Sequence, residues 1–129
     1  MLLFQLAEQL GILVRWRRHM PDAGRWYPHS RKIALNLSLE QREVPSVLGH
    51  ELGHAVHGHE CRDDPTQEAQ ADAWAASVLL DADAVARCAR IWPENPEYWC
   101  DELNVTPDVL RAWMRNPANY RAAERKLAA

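Results

Sequence analysis

Residues 47–59 read V-L-G-H-E-L-G-H-A-V-H-G-H, and within them His50-Glu51-Leu52-Gly53-His54 is an H-E-x-x-H. On a helix, positions i and i+4 share a face one turn apart, so His50 and His54 can hold one metal ion between their imidazoles. Glu51 follows on nearly the same face. It is too close to be a comfortable ligand and well placed to take a proton from a metal-bound water, the arrangement of zinc hydrolases. Pro45 suits a first turn and Gly58 a helix end, which sets the expected helix at 45–58. Val47, His50, Glu51 and His54 then share one face, while Leu48, Leu52 and Ala55 form another that should be core. A polar helix with two solvated histidines would show the same pattern, so the decision rests on a third ligand.

Upstream, Leu2, Leu3, Leu6 and Leu10 recur at helical spacing and predict a helix over 2–10, closed by Gly11. Residues 12–16 (I-L-V-R-W) suit a strand, 21–24 (P-D-A-G) a turn, and 25–28 a second short strand. In 32–37, Ile33, Leu35 and Leu37 alternate with Ala34 and Asn36, giving a third strand with one buried face. Three such strands make a small sheet, mainly antiparallel. Ser38 with Gln41 matches a capping box. The fold class expected is therefore α+β: a three-stranded sheet packed on the H-E-x-x-H helix, followed by helices.

Downstream, 61–65 reads as a loop. Asp64, Pro65 and Gln67 start a helix running to about residue 80 through E-A-Q-A-D-A-W-A-A-S-V-L-L. Glu68 on it is the best third ligand. Ala71 and Ala75 are small at i+3 and i+7 from Glu68, so this face can approach another helix closely. Asp72, one turn on, can accept the second ring N–H of a ligand histidine and fix its tautomer. Asp63 and Asp64 compete with Glu68 for the third place. A longer motif, H-E-x-x-H-x-x-G-x-x-H, fails, since His57 stands where it needs Gly and Glu60 where it needs His. His57 is left as a cleft or solvated residue, and His59 as a closing residue at the helix C-terminus.

The two stretches together resemble the ImmA/IrrE family of small metallopeptidases. That family pairs the H-E-x-x-H helix with a second helix of the form E-x-x-A-[ND]-x-[FW]-A-A-x-x-L. Glu68, Ala71, Asp72, Trp74, Ala75, Ala76 and Leu79 match it, and K-I-A-L-N-L-S at 32–38 is similar to the preceding strand. The likeness covers roughly residues 10–85. It implies a thermolysin-like (zincin-like) core with the third ligand on the next helix, and a bacterial or phage origin. The chain departs from the pattern at Leu79-Leu80-Asp81, where the family often has L-M-P, and in its short His54-to-Glu68 spacing.

The chemistry expected is hydrolysis, with His50, His54 and Glu68 on Zn2+ (Mn2+ or another divalent ion would also fit His2Glu) and Glu51 as the proton carrier. Tyr27, His29, His57 and Tyr98 are candidates to stabilise the tetrahedral intermediate. The strand at 32–37 could edge the cleft and take an extended peptide by strand addition.

Residues 97–115 read as helix, tight N-V-T-P turn, helix, which resembles helix-turn-helix patterning. Arg111 and Arg115 are opposed by Asp101, Glu102 and Asp108, so a helical pair packed on the core, or docking a substrate protein, is preferred to a DNA reader. The organisation expected is one compact unit, with a metallopeptidase core over 1–91 and a helical extension over 92–129. A net charge of −3 over 129 residues gives no global signal for nucleic acid or membrane. Three cysteines without C-x-x-C spacing, no signal peptide and no membrane span point to a cytoplasmic protein. By resemblance its substrate is a specific protein, such as a phage or mobile-element repressor, and direct DNA binding is not expected. The competing reading is a catalytically silent metal-binding module that acts on a transcriptional regulator or DNA.

Overall fold

A computed structural model describes residues 2–61 and 63–129, so Met1 of the expected core and Arg62 of the expected 61–65 loop lie outside the described residues. The chain begins with α1 (Leu2–Gln9), β1 (Leu13–Arg17), β2 (Gly24–Tyr27) and β3 (Lys32–Asn36). A single 3-10 turn (Gln41–Glu43) leads into α2 (Val44–Val56), which carries the H-E-x-x-H. Then come α3 (Pro65–Leu79), α4 (Ala82–Ile91), α5 (Pro96–Leu103), α6 (Pro107–Arg115) and α7 (Pro117–Ala128). The fold is α+β, as expected.

Local chemistry sets most of these boundaries. Five helices carry proline in the first turn, where its missing N–H is no loss. Asp64 accepts from the backbone N–H groups of Thr66 and Gln67, and Asp81 from that of Ala84. α5 ends at Asn104 in the left-handed region, φ 54°, which asparagine tolerates better than most residues. The capping box expected from Ser38 and Gln41 lies two residues later, between Glu40 and Glu43. Ser38 instead hydrogen-bonds Asn36 Oδ1 through both its N–H and its hydroxyl.

The sheet is mixed rather than mainly antiparallel. Its order is β1-β3-β2, with β3 parallel to β1 and antiparallel to β2. The reason is the segment after β1, which carries the chain to the far edge, so that the β2–β3 hairpin inserts β3 between the other two. β3 is the strand fit for the centre, since Ile33, Ala34 and Leu35 are all buried. β1, with Arg15 and Arg17, suits an edge.

Two apolar clusters fill the interior. One joins the sheet to α1 and α2 through Leu3, Ile33, Leu35, Leu48 and Leu52. The other joins α3 to the later helices through Ala75, Val85, Cys88, Val109 and Trp113. α3 contributes to both, with Trp74 packed against the first and Ala75 and Ala76 inside the second. The C-terminal helices also reach α2 directly, because the Thr106 N–H donates to the hydroxyl of buried Ser46 (2.9 Å). Among the described residues, no helix is long and apolar enough to cross a membrane.

Candidate metal centre

The site begins with four small residues. A Cβ placed on Gly53 of α2 would lie 2.8 Å from the Ala71 carbonyl oxygen and 2.9 Å from its Cα, and one on Gly49 would lie 3.1 Å from Ala75 Cβ. Backbone cannot yield as a side chain can, so glycine is what lets α2 and α3 run this close. The close approach brings Glu68 and Asp72 of α3 opposite the histidines of α2.

All five residues named for the site meet there. Glu68 Oε2 lies 2.6 Å from His50 Nε2, and Oε1 lies 3.3 Å from His54 Nε2. The two Nε2 atoms are 3.1 Å apart. His50 Nδ1 donates to Asp72 Oδ1 at 2.7 Å. Glu51, 8% exposed, holds its carboxylate 3.9 Å from His50 Nε2. Of the competitors for the third place, Asp64 is engaged in capping α3, and Asp63 lines the cleft in a left-handed conformation.

His59 stands at the end of α2 as expected, but it also does what the sequence does not show. It is buried at 7% exposure, with Nδ1 2.9 Å from His54 Nδ1 and Nε2 2.7 Å from Gln70 Oε1. The hydrogen bonds order the tautomers. His59 donates Nε2–H to Gln70 and so accepts at Nδ1, which makes His54 donate Nδ1–H and leaves a lone pair on His54 Nε2. The signal in the sequence was there: a histidine five residues past His54, just beyond the helix end, folds back over it. The chain turns through Gly58 at φ 68°, and the His59 N–H reaches the His54 carbonyl at 3.0 Å. His57, by contrast, is exposed and donates to the Gly53 carbonyl.

Electrostatics follow from burial among carboxylates. Burial alone would push His50 down, but the Asp72 hydrogen bond and the charges of Glu51, Asp72 and Glu68 outweigh it and raise it from 6.5 to about 9. Burial raises Glu51 from 4.5 to about 7, against the pull of His50. Burial and the His50 charge lower His54.

The donor set fits a divalent cation. One atom from each of His50, His54 and Glu68 lies within 4.8 Å of the others. Both imidazoles aim Nε2 inward, and their outer nitrogens are held by Asp72 and His59. Two results are expected. A His59→Ala variant should bind Zn2+ about 10- to 100-fold more weakly in a chelator competition, since His54 loses the partner that fixes its ring. Metal affinity of the native protein should also rise with pH, by about tenfold per unit as pH approaches 9. The reason is that His50 titrates near 9 without metal and must release its proton to bind one. Calorimetric titrations across that range would check it.

The centre opens into a cleft of about 640 Å³, walled by β2, α2, α3 and the start of α6 through Thr106, Asp108 and Val109. Tyr27 and His29 line it, as does Cys61. Tyr98 lies elsewhere, against Trp92. β3 does not edge the cleft as expected, because it is the central strand and β2 takes that place.

The family model for the IrrE N-terminal-like domain, a peptidase family, matches residues 4–110. No curated protein and no solved structure matches the chain.

Proposed function

The chain belongs to the IrrE N-terminal-like peptidase family, and from that premise we propose that it is a zinc-dependent endopeptidase of regulatory type. It hydrolyses a peptide bond in a specific cytoplasmic protein, such as a phage or mobile-element repressor. The observation that carries the reading is the convergence of His50, His54 and Glu68 beside a buried carboxylate, Glu51, in an open cleft.

His50, His54 and Glu68 would hold the ion. When bound, it supplies Lewis acidity that polarises a carbonyl and makes water more acidic. Glu51 moves the proton. With a pKa raised to about 7, it has the poise to accept a proton from the attacking water and return it to the leaving amine. Asp72, and His59 backed by Gln70, hold the two imidazoles in orientation. β2, as an edge strand along the cleft, offers backbone groups to an extended substrate by strand addition.

The test is a peptide library incubated with zinc-loaded protein and read by mass spectrometry. Cleavage at a defined sequence by the native protein, absent after Glu51→Gln, is the expected result. A native protein that binds Zn2+ and leaves both the library and the repressor proteins of its genetic neighbourhood intact would overturn the reading.

A further inference from the structure

The two sides of the sheet differ sharply. α1 and α2, the helices packed on it, share one cluster with Ile33 and Leu35 and so cover one side. Alternation sends Arg15 and Arg17 of β1, Lys32 and Ala34 of β3, and Arg25 and Tyr27 of β2 to the other side. The register sets Arg15, Ala34 and Arg25 in one row across the strands, and Leu13, Lys32 and Tyr27 in the next.

A groove of about 330 Å³ follows this face, lined by Arg15, Trp16, Arg17, Tyr27 and Lys32 over a floor of Ala34, which is only 3% exposed. Among the described residues, no carboxylate lines it. Arg15, Arg17 and Lys32 are exposed, and no ion pair engages them among the described residues. The Arg25 guanidinium sits over the Tyr27 ring, 5.1 Å from its centroid. Residues 13–36 hold six of the fifteen Lys and Arg side chains and one of the eighteen carboxylates. Folding sets four of those six, Arg15, Arg17, Arg25 and Lys32, on one side of the sheet.

We propose that this face binds single-stranded nucleic acid. The phosphodiester backbone runs along β1 and β3 over Arg15, Arg17 and Lys32, and a base stacks at Tyr27. Charge complementarity selects a polyanion. Two guanidiniums on one side of a strand recur every second residue, about 6.6 Å apart, a spacing at which neighbouring phosphates of one strand can be met. An open sheet with cations and an aromatic ring suits unstacked bases, whereas a duplex groove is read by an inserted helix or ribbon. An anionic membrane is the weaker match, because the floor at Ala34 is recessed and, among the described residues, no amphipathic helix lies on this side. The inference does not depend on peptidase activity.

The experiment is fluorescence anisotropy with a labelled thymidine oligonucleotide of about 20 residues, long enough to cross one small domain. The native protein should bind with an affinity that falls with salt at a log–log slope of about −2, three phosphates at about 0.7 each. The triple variant Arg15→Ala, Arg17→Ala, Lys32→Ala should bind at least about tenfold more weakly at about 50 mM salt. Its circular dichroism should be unchanged, since all three side chains are exposed; the Gln triple variant serves if the Ala one is unstable. A double variant Arg111→Ala, Arg115→Ala, on α6, should bind like the native protein. The proposal is overturned by no binding at about 100 µM protein, a generous bound for even non-specific contact. Equal loss in the α6 variant, tighter binding to a duplex of the same length, or binding to phosphatidylserine vesicles without the oligonucleotide would also overturn it.

Discussion

Glu51→Gln is expected to lower peptide hydrolysis by about 100- to 10,000-fold, the range that a positioned proton carrier contributes. The amide matches the carboxylate in size, and Glu51 is 8% exposed in a tight setting, so a shape-preserving change is required. Its Cγ already lies where a Cβ on Gly24 would come within 3.1 Å. The amide accepts no proton, which removes the chemical role and leaves the fold. Metal binding should persist, because the group that could hold the ion is His50, His54 and Glu68. It should even tighten slightly near neutrality, since one of the carboxylates that raise His50 is gone. Parallel measurement of zinc content and cleavage separates the two effects. A variant that keeps its full biological effect would mean that hydrolysis is not what the protein does.

The second large effect belongs to Glu68→Ala, expected to weaken Zn2+ binding by more than about 100-fold, beyond the loss from removing a supporting residue. Glu68 is the only carboxylate that reaches both Nε2 atoms, at 2.6 and 3.3 Å, among the described residues. Asp72→Ala touches His50 alone, through its outer nitrogen, and should cost only about 10- to 100-fold. The ranking is the informative part. Chelator competition on the two variants would remove Glu68 from the ligand set if its loss matched or fell below that of Asp72. Glu68 is partly exposed and caps nothing, so its replacement leaves the α3 start, held by Asp64, intact.

The sequence speaks clearly where chemistry is local. H-E-x-x-H places its own donors, and Pro45, Asp64 and Pro65 mark helix starts that the fold reproduces within a residue or two. Glu68 was legible because small residues at 71 and 75 announce a close helix pair, and Gly49 and Gly53 complete that seam from the other side. What was not legible depends on chain path. The parallel pairing of β1 with β3 follows from where the connection after β1 lands, which no strand pattern encodes. The hold of His59 on the His54 ring is not legible, because its own partner, Gln70, lies across the gap between α2 and α3. The basic face is not legible either, because Arg15, Arg25 and Lys32 are scattered in sequence and become neighbours only through the register.

α3 stands between the two apolar clusters, and this has a mechanical consequence. Glu68 and Asp72 ride on the same rigid rod as Ala75 and Ala76, which are locked among the C-terminal helices. Fraying of its first two turns would withdraw both carboxylates from the histidines. Amide hydrogens in α4 and α6, which carry none of the candidate ligands, should therefore exchange more slowly once zinc is bound. A protein that docks on those helices would feel, and could tune, the grip on the ion.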